Sequence, residues 1–350
     1  MRSRNGLTRT CVVPAASKYR SRRETPYNGV LNSDPQARVP NRLDASPDAG
    51  IDTAALVTEQ AHPGSGQLDE LSITEVLTLM NSADAEIPAA IAREIPRIAR
   101  AVEAISRALE RGGRLYYIGA GSSGRLGVLD AAECPPTFNV PKDLVRAILA
   151  GGEAAMTRAA EASEDHPEAG ARDLGTAGFG AADVLVGIAA SGRTPYVLGA
   201  IARARELQAI TCGISCTPDS ELSRAVDYPI EPVPGPEILT GSTRLRAGTA
   251  TKLVLNMIST AVMVRLGHVY GNLMVNVQPS NRKLEQRARR IVQRATGVGY
   301  ERAAELLDRA GRSVRAAIVM QKLGVDREQA ERLLAAAGGR ISSALKASSG

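Results

Sequence analysis

The stretch RLYYIGAGSSGRLGVLDAAECPPT, residues 114–137, decides how the chain is read. Leu115 to Ile118 is a short run rich in Tyr and Ile, the composition of a buried strand. It breaks into Gly119-Ala120-Gly121-Ser122-Ser123-Gly124, and a helical pattern follows from Arg125 to about Ala132. A strand feeding a Gly/Ser turn and a helix start can hold a phosphate. The glycines let the backbone approach closely, and the first helical N–H groups remain free to donate. The pattern then meets Glu133-Cys134-Pro135-Pro136, where the paired prolines predict a helix stop. A carboxylate at a helix C-terminus is opposed by the macrodipole, a placement that suits a general acid.

Working outward, strands and helices alternate. Strands are predicted at 144–150, 184–190 and 210–216, with helices over about 153–162, from near Thr194, and around 221–225. An extended segment at 228–233 precedes a long helix over about 244–266. Such alternation implies a parallel sheet covered by helices on both faces, an α/β fold. Upstream, Ser72-Ile73-Thr74-Glu75 has the form of a capping box, and Ile91, Ile95, Ile98, Val102, Ile105 and Leu109 keep a helical spacing. Pro96 is expected to kink that helix and Gly112-Gly113 to end it. Residues 272–280 read as an extended apolar connection, and 281–350 as helical throughout, punctuated by Gly297, Gly311, Gly324 and Gly338-Gly339. The expected organisation is a basic tail (1–55), an N-terminal helical segment (56–106), a sheet domain (107–270) and a small all-helical C-terminal region (271–350).

The sequence pI of 9.3 belongs to that tail. Nine of the 43 Lys/Arg and four of the 37 Asp/Glu fall in residues 1–50, leaving 34 bases against 33 acids in the remainder. A near-neutral body argues against a nucleic-acid partner. The tail is Arg-, Pro- and Ser-rich without apolar periodicity, so it reads as disordered, and it lacks the apolar core of a secretory signal. Cys11, Cys134, Cys212 and Cys216 show no disulfide framework and no metal-ligand spacing, and no apolar run has membrane-span length. A reducing, cytoplasmic setting with no membrane partner is expected.

Gly119, Gly121 and Gly124 satisfy G-x-G-x-x-G, but the acid that a dinucleotide ribose needs is absent at the required distance. Two further hydroxyl-rich turns repeat the theme. Ser191-Gly192-Arg193-Thr194 precedes Pro195 at a helix start, and Thr240-Gly241-Ser242-Thr243 is expected to cap the long helix. Such turns at the C-terminal ends of parallel strands suit a phosphomonoester on a small molecule. Glu161 and Glu164 are read three apart on one helical face, and Glu237 and Lys252 are further polar candidates. His62, His166 and His268 form no triad or ligand set.

These residues resemble the N-acetylmuramic acid 6-phosphate etherase family, within the sugar isomerase (SIS) superfamily. The resemblance spans about residues 56–346. It rests on Thr58-Glu59, IGAGSSGRLGVLDAAECPPTF at 118–138, AGGEAA at 150–155, SGRTPYV at 191–197, GPEILTGSTRLRAGTATKLVLNMIST at 235–260 and NRKLEQRARRI at 281–291. It departs at Ala61-His62-Pro63, where the family usually carries Asn. The resemblance implies a SIS-type sheet, a homodimer, no metal or redox cofactor, and cleavage of a sugar-phosphate lactyl ether in cell-wall recycling. It implies Glu133 as proton donor and Glu164 as the second active-site carboxylate. Substrate contacts are expected from Ser122, Ser123, Ser191, Gly192, Arg193, Thr194, Glu237, Ser242 and Lys252. A sugar-phosphate isomerase and a non-catalytic sugar-phosphate regulator on the same fold are the alternative functions.

Overall fold

Five short strands, β1 (Leu115–Gly119), β2 (Val145–Leu149), β3 (Val184–Ile188), β4 (Ile210–Ile214) and β5 (Tyr228–Ile230), make one sheet in the order β2-β1-β3-β4-β5. All pairings are parallel. The structure is a computed structural model that describes residues 56–158, 163–277 and 281–348. The expected disorder of the tail and the placement of Glu161 lie outside the described residues.

The alternating side chains of the strands feed two cores. On one face Leu115, Tyr117, Val184, Val186, Cys212 and Ile214 pack with helices α2 (Ile87–Glu110), α3 (Gly121–Phe138) and α7 (Arg246–Arg265). On the other, Tyr116, Ile118 and Leu185 pack with α4 (Pro167–Thr176), α5 (Pro195–Glu206) and α6 (Glu221–Ala225). Both faces are covered, which is why the strands read as continuous apolar runs. Ahead of the sheet, α1 (Ile73–Asp84) opens with the full capping box between Ser72 and Glu75. α2 runs through Pro96 to a close at Arg111 and Gly112, with Ile95 exposed rather than in the expected stripe.

Helices α8 (Arg282–Thr296), α9 (Tyr300–Arg309), α10 (Val314–Leu323), α11 (Arg327–Ala336) and α12 (Ile341–Ala347) build a third core of their own. Left-handed Gly297 and Gly324 close α8 and α10 at the predicted points. A small antiparallel pair forms just before and at the start of the apolar connection, β6 (Val269–Tyr270) and β7 (Leu273–Met274). Arg340 reaches back to Glu110 at 2.5 Å and ties this region to α2.

Two readings are corrected. The prolines do not stop α3, which continues through Pro135 and Pro136 to a left-handed cap at Asn139. Proline forfeits only its own N–H and the backbone of the residue before it, and Asn139 N–H recovers the Pro135 carbonyl at 2.8 Å. Over 153–158, the described part of the helix expected at 153–162, the chain forms a 3-10 turn at Glu153–Met156, and Glu164 lies in an irregular bend rather than on a helical face. A helix that the pattern missed, α4, begins instead at Pro167, a favoured first position. By length and composition α7 passes a membrane-span test that the core helix of a globular protein also passes, and half of it is buried within the fold.

Candidate active site

Parallel pairing of β1 with β3, with Gly119 opposite Ile188, sets the first two hydroxyl turns side by side. Gly119 and Gly124 are there for contact. A Cβ on Gly124 would lie 2.5 Å from Gly119 O, and one on Gly119 would lie 2.8 Å from Gly124 N. Gly121 takes a left-handed φ of 52° that turns the chain into α3. Ala120, at the N-cap, has no side chain to satisfy the first amides, so the start of α3 is open. The helix N-terminus carries partial positive charge, and Ser122 and Ser123 add hydroxyls to it.

The second turn is equally uncommitted. Thr194 is the N-cap residue of α5, yet its side chain makes no capping bond. Ser191 Oγ accepts from Arg193 N at 3.3 Å and keeps its proton to donate. Gly192 is buried at φ 69°, and a Cβ there would strike Ser220 at 2.2 Å, so only glycine fits. Arg193 points toward Glu221, with its Nε 4.0 Å from the carboxylate.

Glu164 joins this group. Its backbone carbonyl accepts from Tyr196 N, in the first turn of α5, at 3.0 Å. A Cβ on Gly121 would lie 3.2 Å from Glu164 Oε1, which places the carboxylate at the mouth of α3. The bend that breaks the expected helix is therefore what brings Glu164 to both turns. Arg125, also in the motif, is committed elsewhere: it donates to the carbonyls of Ala155 and Arg158 at 2.9 Å and pins the segment after β2.

The third turn belongs to the same end of the sheet, since Cys216, just past β4, bonds Ala190 O through its amide and approaches Ala247 O through its thiol. The cap that the sequence places at Thr240–Thr243 is not formed there: α7 starts after Leu245, and neither Ser242 nor Thr243 caps it. Glu237, 1% exposed, does so: its two oxygens accept from Arg246 N at 2.8 Å and Ala247 N at 2.9 Å. Burial pushes the Glu237 carboxyl up, against the opposing pull of those amides and of Arg246. Arg246 is itself buried and bridges Pro236 O to Glu86. The Thr58-Glu59 pair meets this turn, Glu59 Oε2 lying 3.3 Å from where a Gly241 Cβ would sit. His62, in the departing tripeptide, closes a local turn by accepting from Gly64 N at 3.1 Å.

Glu133 is elsewhere. It stands mid-helix on α3, so the helix-end argument made from the prolines does not apply to it. With Lys252 it lines a cavity of about 280 Å³ between α3 and α7, together with Leu126, Leu129, Asp130, Leu255 and Asn256. Nothing in the sequence singles out Asp130, although it lies one helical turn before Glu133. Its Oδ2 accepts from Tyr117 Oη at 2.9 Å and its Oδ1 from Ser259 Oγ at 3.0 Å. Burial raises the Asp130 carboxyl, while these two bonds and Lys252 pull it down. The candidate residues thus fall into two groups. From Gly121 to Glu133 along α3 is about 18 Å at 1.5 Å per residue, so the phosphate-type turns with Glu164 lie at one end and the Glu133–Lys252 cavity toward the other.

Residues 97–205 match the family described as glucokinase regulatory protein N-terminal SIS domain. Among solved structures, that of a phosphoheptose isomerase from Francisella tularensis is 22% identical with a TM-score of 0.42, covering 56% of this chain and 98% of its own. A Rubrobacter xylanophilus protein named N-acetylmuramic acid 6-phosphate etherase is 56% identical over 77% of this chain and 90% of its own length. A protein of the same name from Streptomyces avermitilis is 50% identical over 84% of this chain and 94% of its own. With relatives of that name 50–56% identical over more than three quarters of its length, the chain belongs to the N-acetylmuramic acid 6-phosphate etherase family.

Proposed function

We propose that this protein is a carbon–oxygen lyase that cleaves the D-lactyl ether of N-acetylmuramic acid 6-phosphate, giving N-acetylglucosamine 6-phosphate and D-lactate in peptidoglycan recycling. The phosphate is held by the open start of α3, with Ser122 and Ser123, and by Ser191, Gly192 and Thr194 at α5. Arg193, Ser242 and Glu237 shape the walls of that end. An ether at C3 is a poor leaving group until the ring opens and a C1 carbonyl makes the C2 proton acidic. Glu164, at the mouth of the phosphate turn, removes that proton. Glu133 donates a proton to the ether oxygen as the C3–O bond breaks and lactate departs. Water then adds to C3 of the unsaturated aldehyde, C2 is reprotonated, and the sugar is restored. Each step moves protons between substrate, carboxylates and water; no electrons are exchanged with an outside acceptor.

The observation that carries this reading is the pair of carboxylates, one beside uncommitted phosphate-type donors and one in a separate cavity with a lysine. An aldose–ketose isomerase or a sugar-phosphate sensor would leave the Glu133 cavity without a task. C3 and the phosphate of one sugar are only a few bonds apart, whereas Glu133 lies about 18 Å along α3 from the same chain's turn. Glu133 therefore serves a sugar held by the other subunit of a homodimer. Exposed apolar side chains support pairing through α3 and α7: Leu129, Met257 and Val264 are 48%, 39% and 51% exposed on these helices. Cytoplasmic residence fits the buried, unpaired Cys134, Cys212 and Cys216.

Lactate assayed from the purified protein and N-acetylmuramic acid 6-phosphate tests the activity. Glu133→Ala is expected to lose lactate release by about 10²-fold or more while still binding N-acetylglucosamine 6-phosphate. Near-normal turnover in that variant overturns its role, and no lactate from the unaltered protein overturns the reaction.

A further inference from the structure

The cavity beside Glu133 has a composition that proton donation alone does not require. Its lining combines one cation, one amide, two carboxylates and three leucines: Lys252, Asn256, Asp130, Glu133 and Leu126, Leu129 and Leu255. The leaving group of the proposed reaction is a three-carbon 2-oxyacid, with a carboxylate, a methyl group and the ether oxygen. The geometry points to this cavity as the subsite for that carboxyethyl arm, with Lys252 as the residue that recognises its carboxylate. The inference rests on the etherase reading and deepens it.

Four observations carry it. Lys252 forms no ion pair among the described residues, so its ammonium is available to a ligand. Asp130 is committed, with both oxygens accepting hydroxyl donors, and its charge attracts Lys252 toward the cavity. Asn256 follows Lys252 by one helical turn on α7, and its amide offers a second donor on the same face. The three leucines provide an apolar surface for the methyl group. A cation is needed here, because Asp130 and Glu133 by themselves would repel an acid. About 280 Å³ is ample for a three-carbon arm. With the arm so placed, its ether oxygen is presented to Glu133, and the charge on lactate as it leaves is already paired.

The test compares the natural substrate with an analogue whose lactyl carboxylate is a neutral primary amide. The intact dimer is assayed by release of lactate or lactamide, and kcat/KM is read for each. The unaltered protein is expected to prefer the acid by about 10²-fold or more. Lys252→Met is expected to lose that preference: the acid falls to the level of the amide, and the amide changes by less than about threefold. Lys252→Arg, which keeps the charge, should retain most of the preference, and D-lactate should inhibit the unaltered protein but not Lys252→Met. Lys252 is exposed at the cavity rim, and equal melting temperatures establish that the variants fold. An equal fall for acid and amide in Lys252→Met places Lys252 on the phosphate or in the scaffold and overturns the inference. Absence of discrimination in the unaltered protein does the same. Failure of the unaltered protein to release lactate overturns the etherase reading instead, so the two failures are separable.

Discussion

Thr194 occupies the N-cap of α5 without using its hydroxyl as a cap, and Ser191 uses its own only as an acceptor. Both hydroxyls lie beside an open helix start, where an anion would find them ready. Ser191→Ala and Thr194→Val should each weaken binding of N-acetylglucosamine 6-phosphate by about 1–3 kcal/mol, and leave binding of the non-phosphorylated sugar unchanged. Calorimetry on the two ligands checks this, and an equal loss for both would assign the hydroxyls to the loop. Legibility at this scale was uneven. The glycines and serines of 119–124 could be read because their reasons are local: close approach, a left-handed φ and a free amide. Glu237 as the cap of α7 could not, since its partners, Arg246 and Ala247, are brought to it by a loop with no periodic pattern. Asp130 was hidden in plain view, because what distinguishes it is Tyr117 from β1 and Ser259 from α7, both remote in sequence.

Among the elements, β1, β3 and β4 were readable as apolar runs, and α2 and α8 through α12 from spacing and glycine punctuation. The misreadings at α3 and α4 share a cause. Local propensity places a stop at Pro135-Pro136 and gives no helix signal over 167–176, while packing decides otherwise. Ala131, Cys134 and Phe138 are buried against the sheet and hold α3 together past its prolines. Gly170 of α4 lets α5 approach so closely that a Cβ would meet Tyr196 O at 1.8 Å, a contact absent from the sequence pattern. The junction between α7 and β6 carries a pH dependence. His268, bonded to Asn276, is held down to about 4 by burial and by Arg315. It stays neutral in the folded chain while the unfolded chain takes up a proton below about pH 6.5. Its contribution to stability is therefore complete above about 6.5 and is lost as the pH falls toward 4. Thermal unfolding at pH 7.5 and 4.5 should show a larger drop for the unaltered protein than for His268→Gln, and equal drops would contradict the assignment.

At the level of the whole molecule, the two carboxylates of the proposed reaction are separated by about two thirds of the length of α3 within one chain, and Leu129, Met257 and Val264 stand exposed on the outer sides of α3 and α7. The sequence hinted at this, since a helix beginning at the phosphate turn cannot present its far end to the same small sugar. The scale is not legible there, because the glycines and the paired prolines mark a helix shorter at both ends than α3. Nor does the sequence show that Glu164 leaves its expected helix and bends back to the turn. The central claim is that each site takes Glu164 and the phosphate turn from one chain and Glu133 from the other. The direct test mixes Glu133→Ala chains with Glu164→Ala chains, both inactive alone, under conditions where native mass spectrometry shows subunit exchange. Random pairing makes about half the dimers mixed, each with one site free of both lesions, so about a quarter of the original lactate-releasing activity should return. Mixed dimers that form and remain inactive would contradict the account and confine each site to a single chain.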